Sequence, residues 1–372
     1  MKRTTVVFSV LVIIMTVGAL LAVALVAGAF YGGEMWKIAL LLVAGAVVCG
    51  LVNAFAHELG HLIAGKLNGF KLSEITVWFF RWYKVRERIC FNFVMLKEQA
   101  GYTEMFPKGT NDLAKRYNKM TLGGLVASLM CMLIGIVPLC LTAYLPLIAY
   151  AFTAMMLPVG AYYFFGNALP VVSGGARNDG AVVLEYVKKE NSVKVMEGLL
   201  SIQAQLYLGK TPSEIDEKYY FDLPQLPEDD LYFIQLLHAR YDYYLDKGDV
   251  ENAVKTTNRL LELDEYMPKY YLNNIKTDAL YNVCALVKNE QTADELMYEL
   301  ERFLTANNIL SIRAKTAYLV YLKEEFDYVD SFMEKWIEES EKSVFEGEEL
   351  FNKKLLENLK NHVKTKLEVV TE

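Results

Sequence analysis

Residues 5–30 contain no charged side chain, and this run constrains the chain more than any other feature. As one helix it is about 39 Å long, enough to cross a hydrocarbon core of roughly 30 Å with some tilt. The run is too long for the apolar part of a cleaved leader, and no small-residue cleavage site followed by soluble sequence comes after it, so a retained span is expected. Three further apolar stretches lie at residues 36–65, 120–141 and 146–167, the last two separated only by a tight Tyr144-Leu145-Pro146 connection.

The apolar share of 53% over 372 residues conceals a division. Up to about Val172 the long apolar runs dominate. From about Lys188 the sequence is charged, tyrosine-rich and acidic, and most of the net charge of −7 belongs there. Two domains are therefore expected: residues 1–187 as a membrane-embedded bundle of about four spans, and residues 188–372 as a helical domain in the cytosol. Between Lys66 and Lys119 there are eleven Lys or Arg against five Asp or Glu, whereas the other two loops carry almost no cations. With Lys2 and Arg3, that bias puts both termini and the large loop on the cytosolic side. No basic stripe interleaved with aromatics is present and the balance is acidic, which excludes a nucleic-acid partner. The five cysteines are widely spaced, without a Cys-x-x-Cys pair, and read as buried small hydrophobes beside a reducing cytosol.

Chemistry concentrates in the second span, at His57-Glu58-Leu59-Gly60-His61. Histidines four residues apart share one helix face and can each present a ring nitrogen to one zinc ion. Glu58 beside them can take a proton from a water acidified by the metal and hand it to a leaving amine. Two histidines and a glutamate within a span are costly unless they serve a purpose. A catalytic zinc usually takes three protein ligands, and the remaining histidines, His238 and His362, lie in the tail. Among carboxylates near the membrane, Asp179 stands out. It follows the fourth span in a glycine-rich loop, Ser173-Gly174-Gly175-Ala176-Arg177-Asn178-Asp179-Gly180, where an ordinary Asp-Gly turn is the alternative reading.

On these residues the chain resembles the site-2 protease family of intramembrane zinc metalloproteases. In that family the His-Glu-x-x-His helix is paired with a later span ending in an Asn-Pro-rich segment and an Asp-Gly, and this sequence offers Asn167-Ala168-Leu169-Pro170 and Asp179-Gly180. The resemblance covers about residues 36–185. It implies one Zn2+ per chain held by His57, His61 and Asp179, with Glu58 as general base. Asn167 is not followed directly by proline, and Asp179 lies several residues farther on than the family spacing. Asn167 either donates to the oxyanion of the tetrahedral intermediate or caps its helix ahead of Pro170. Gly123-Gly124 and Ser128 in the third span resemble a small-residue motif of the family and allow close packing against the second span.

From Leu72 to Met95 the sequence is rich in aromatic and β-branched residues, with Ile89, Phe91, Phe93 and Met95 alternating, as in a short hairpin or small sheet. In the family a small sheet lies near the active site, where an edge strand can hold an unwound substrate extended. The alternative is that Trp78, Phe79, Phe80, Trp82 and Tyr83 only anchor the chain at the interface; Arg81, Lys84, Arg86 and Arg88 suit lipid headgroups.

The tail reads as consecutive amphipathic helices, Leu231 to Asp246, a break at Lys247-Gly248-Asp249, and Val250 to Leu263, with further helices around residues 269–287, 292–305 and 312–325. It resembles a tetratricopeptide-like repeat, whose concave surface would take a regulatory or recruiting protein. The expectation is a mostly α chain: a polytopic helical bundle with a small cytosolic sheet, then an all-α repeat domain. The function expected is zinc-dependent hydrolysis of a membrane-embedded or membrane-adjacent protein substrate near the cytosolic face. The alternative is a zinc-stabilised membrane scaffold or receptor without proteolytic activity.

Overall fold

The computed structural model describes residues 3–86, 88–94, 100–173, 175–306, 308–326 and 329–371; Lys2, Met95 and Gly174 of the expectations above lie outside them. It is 73% helical, with four long apolar helices and a small antiparallel sheet. Two compact units divide the chain, residues 1–84 with 88–193, and residues 85–87 with 194–372.

The first unit opens with α1 (Arg3–Tyr31) and α2 (Met35–Leu67). Strands β1 (Phe70–Val77), β2 (Phe80–Val85), β3 (Arg88–Phe93) and β4 (Gly101–Pro107) follow. Then come α3 (Leu113–Ile134), α4 (Val137–Cys140), α5 (Leu147–Ala154) and α6 (Met156–Ala168). A minimal hairpin, β5 (Val172–Ser173) and β6 (Ala176–Arg177), leads into α7 (Asp179–Lys188).

Among the described residues, four stretches are long and apolar enough to cross a membrane: Thr5–Tyr31, Met35–Leu67, Leu113–Cys140 and Leu147–Ala168. The third starts seven residues before the expected position, because the helix runs on through Lys115, Arg116 and Lys119, all good helix formers. Arg116 also donates to the carbonyls of Asn68 and Gly69, which fastens the start of α3 to the end of α2. The fourth stretch breaks at Met155, since Pro158 has no N–H for the carbonyl of Ala154. The α1 surface stays apolar and outward-facing, with Ile13 60% and Leu25 72% exposed, the face a lipid-contacting helix presents.

Helices α2 and α3 cross in contact. A Cβ on Gly60 would overlap the carbonyl of Gly123, and a Cβ on Gly123 would overlap that of Gly60, so only glycine at both positions permits the approach. Elsewhere in the bundle, buried Tyr150 donates to the Val23 carbonyl at 2.9 Å and Tyr31 to the Leu145 carbonyl at 2.8 Å, joining α1 to the α4–α5 region.

The sheet has the order β3-β2-β1-β4. The expected hairpin is thus extended by a strand not foreseen, β4, which pairs with β1 through partners such as Ile75 and Thr103, with a bulge between Leu72 and Glu74. Because α2 passes into β1 through only Asn68 and Gly69, the chain turns back on itself and the buried face of β1, with Phe70, Leu72, Ile75 and Val77, is held near α2. Of the cysteines, Cys49, Cys131 and Cys284 are buried, Cys90 is half-buried and Cys140 exposed, so the expectation of burial fails at Cys140.

The second unit contains most of α8 (Asn191–Tyr207) and α9 (Lys218–Phe221), then α10 (Leu231–Lys247), α11 (Val250–Leu261) and α12 (Lys269–Asn282). It continues with α13 (Glu290–Glu299), α14 (Glu301–Leu304), α15 (Ile309–Ala317), α16 (Val329–Ser340) and α17 (Glu346–Thr371). Gly248 ends α10 in the left-handed region at φ 79° and Asp249 caps α11 through its side chain, as the Lys247-Gly248-Asp249 break foretells. Within it Arg313, 3% exposed, pairs with Asp278, 2% exposed, and His238 Nε2 meets the same carboxylate at 3.0 Å. Burial by itself lowers the His238 ring, but the bond to Asp278 outweighs it, so this ring titrates above its ordinary value and serves packing. His362 lies against the Tyr321 ring.

Two outcomes follow from this packing. Gly123→Leu is expected to lower the stability of the membrane-type bundle by about 1–3 kcal/mol through overpacking, read as a lower thermal midpoint in detergent, whereas Gly18→Leu, where a Cβ meets nothing within 4 Å, leaves it unchanged. Arg313→Met is expected to cost about 3–5 kcal/mol, since it strands the buried Asp278, and the loss is read by chemical denaturation of the full chain.

Candidate metal centre

His57 and His61 leave α2 one turn apart and their rings meet edge to face, with centroids 4.7 Å apart. Each ring is oriented by α3. His57 Nδ1 lies 3.1 Å from the Gly124 carbonyl and 2.9 Å from Ser128 Oγ, and His61 Nδ1 lies 3.1 Å from the Met120 carbonyl. A carbonyl only accepts, so both Nδ1 atoms carry a proton, and in the neutral rings both Nε2 atoms present lone pairs. Gly124 makes room for this arrangement: a Cβ there would overlap the His61 ring.

The two Nε2 atoms lie 3.1 Å apart, and each is 3.3 Å from Asp179 Oδ2. Asp179 comes from the other side of the bundle, at the first position of α7. Asn178 holds it there. The Asn178 Oδ1 accepts from the Val171 and Ala181 amides while Nδ2 donates to the carbonyls of Gly166 and Leu169, so one side chain ties the end of α6 to the start of α7. The Arg177–Glu185 pair, at 2.7 Å, and Ser192, donating to Glu185 at 2.6 Å, brace the same turn. The Asp-Gly turn considered as the alternative for Asp179 is therefore replaced by a capped helix start.

Three lone-pair atoms thus converge in a buried place, and among the described residues Asp179 Oδ2 has no hydrogen-bond partner. Such a convergence is repulsive until a cation occupies it. Tetrahedral zinc with bonds of about 2.0–2.1 Å sets its ligand atoms about 3.3 Å apart, and the observed 3.1–3.3 Å triangle fits that spacing. Among the described residues, His57, His61 and Asp179 form the group able to hold a metal ion. Compared with family models, with curated proteins and with solved structures, the chain finds no match.

Glu58 is buried, 5% exposed, beside His57. Thr103 Oγ1 donates to its Oε2 at 2.6 Å and reaches its backbone carbonyl at 3.3 Å. Asn167 lies within the last turn of α6, where its Nδ2 donates to the Tyr163 carbonyl at 2.9 Å; the cap position belongs to Leu169. In this conformation its amide serves its own helix.

Sequence reasoning reached the three converging residues and Glu58, but not Thr103, Asn178 or the carbonyls that orient the rings. Asn178 had a legible signal, an Asn before an acidic residue and an apolar run, which marks a helix start. Thr103 had none, because its role depends on strand pairing.

Removing the Ser128 hydroxyl loosens the His57 ring without touching a candidate ligand. Ser128→Ala is expected to weaken zinc binding about 10–100-fold, and His57→Ala or Asp179→Ala to weaken it further, measured by chelator competition and metal analysis of the detergent-purified protein.

Proposed function

We propose that this chain is an intramembrane zinc metalloprotease of the site-2 protease kind, cutting a membrane-embedded or membrane-adjacent protein substrate near the cytosolic face. The observation that carries the reading is the convergence of His57 and His61, on a helix apolar enough to cross a membrane, with Asp179 from the start of α7, and Glu58 next to them in the chain. A zinc ion held there supplies Lewis acidity toward a water and a peptide carbonyl.

The protein's own residues do the rest. Glu58 accepts a proton from the attacking water and returns it to the leaving amine. The Gly124 and Met120 carbonyls and Ser128 keep the histidine rings in the tautomer whose Nε2 is a ligand. A helical substrate hides its peptide bonds behind its own hydrogen bonds, so it must be unwound. Strand β4, at one edge of the sheet and packed against Glu58, offers backbone groups to hold an extended segment beside the site.

Four spans with both termini in the cytosol fit the cation-rich segment between residues 66 and 119, and the aromatic residues of β2 and β3, with Phe91 48% and Phe93 68% exposed, suit the bilayer interface. The helical tail, soluble on this reading, would recruit or regulate through a protein partner in the manner of stacked helical repeats.

Zinc analysis and cleavage of a co-expressed panel of single-span proteins test the proposal together. The wild type is expected to hold about one zinc per chain and to cut; Glu58→Gln is expected to keep the zinc and lose cleavage by at least about 100-fold. Zinc held without cleavage of any panel member, or cleavage that survives Glu58→Gln, would replace the protease with a zinc-stabilised membrane scaffold.

A further inference from the structure

Successive residues leave a helix about 100° apart, so Glu58 departs α2 well round from the face that carries His57 and His61. Helix geometry alone does not aim its carboxylate at the space the three ligand atoms surround. Something outside α2 has to hold it.

Strand β4 does so by two contacts. Alternate residues Gly101, Thr103 and Met105 share one strand face, and each meets α2. Met105 fills the space over Gly65, two turns after Glu58, and a Cβ on Gly65 would lie 2.9 Å from the Met105 methyl. Thr103 donates to Glu58 Oε2 at 2.6 Å. A Cβ on Gly101 would lie 2.8 Å from Glu58 Cγ and 2.9 Å from Cδ, so the missing side chain at 101 is the space the carboxylate occupies. The strand is anchored in turn, since Thr103 pairs with Ile75 and Gly101 with Val77, both buried residues of β1. Hydroxyl and hollow act on the same carboxylate from the same strand.

Resting on the protease reading above, we infer that Thr103 is a positioning residue for the general base: its hydroxyl, with the hollow at Gly101, fixes the Glu58 carboxylate toward the reacting centre. Because β4 is also the edge strand, the element that would hold an extended substrate is the one that holds the base. The two are brought into register by one backbone, and no loop intervenes.

Three variants of the full-length, zinc-loaded protein test this: Thr103→Val, which keeps the shape and removes the donor; Thr103→Ser, which restores the donor; and Gly101→Ala, which fills the hollow. One readout is the Glu58 side chain in crystal structures better than about 2.5 Å, where a hydrogen bond is resolved. In wild type and Thr103→Ser it is expected on the residue-103 hydroxyl, and in Thr103→Val and Gly101→Ala turned away. The other readout is kinetic, with a single-span substrate from the panel. Thr103→Val is expected to lower kcat about 10–100-fold with KM within about twofold and zinc still at one per chain, and Thr103→Ser to recover most of the rate. The inference is overturned if Glu58 keeps its conformer in Thr103→Val, if kcat stays within about twofold of wild type, if the loss lies in KM, or if serine fails to rescue. A wild type that cleaves nothing sinks the protease reading itself, whereas a cleaving wild type, a dead Glu58→Gln and a fully active Thr103→Val overturn this inference alone.

Discussion

The contact between Gly60 of α2 and Gly123 of α3 is the constraint on which the site depends. Two helices normally run 8–10 Å apart, held off by their side chains. With glycine on both sides of the crossing, each backbone reaches the other and the carbonyls of α3 come within hydrogen-bonding distance of rings on α2. Those carbonyls decide the histidine tautomers. With the Nδ1 protons committed to α3, both Nε2 atoms become lone-pair donors, and the same small residues that bring the helices together leave room for the rings to turn. Packing and ligand chemistry are here one and the same arrangement.

The third partner reaches the site by a different route. Asp179 sits on the first turn of a helix whose start is tied to the end of the preceding one by the four hydrogen bonds of Asn178. That tie keeps a buried carboxylate in place against the electrostatic cost of its burial. The three atoms able to hold a cation are thus gathered and held by groups outside the trio. Such preorganisation suits binding of a divalent ion, and three protein ligands are the usual number at a catalytic zinc. Glu58, next to His57 in the chain, is buried and gripped by a strand, and on the proposed reading it is the proton carrier.

Much of this was legible in the residues. The apolar runs announced four long helices, and Lys247-Gly248-Asp249 announced where α10 gives way to α11. Spacing alone put His57 and His61 on one face, because four residues make about one turn. The misses have physical causes. Helix α3 began earlier than its apolar run since helix propensity does not stop where hydrophobicity does; the fourth stretch broke at Met155 because Pro158 removes a hydrogen bond that hydropathy ignores. Strand β4 was overlooked because its residues, Gly101 to Pro107, alternate only weakly, and its stability comes from pairing with β1. Asn167 reads in the sequence as either an oxyanion donor or a helix cap, yet in the folded chain its amide bonds to the Tyr163 carbonyl of its own helix.

What the sequence determined by itself is local: which stretches are helical, which are apolar enough for lipid, and which side chains able to hold a metal stand at one-turn spacing. These follow from properties of neighbouring residues, and periodicity reads them directly. What only the tertiary structure decided is every relation across the bundle: Asp179 meeting two histidines more than a hundred residues away, the carbonyls that choose their tautomers, and the strand that reaches Glu58. Those relations depend on how closely two helix axes can approach and on which strand lies beside which, and no single segment of sequence contains that information.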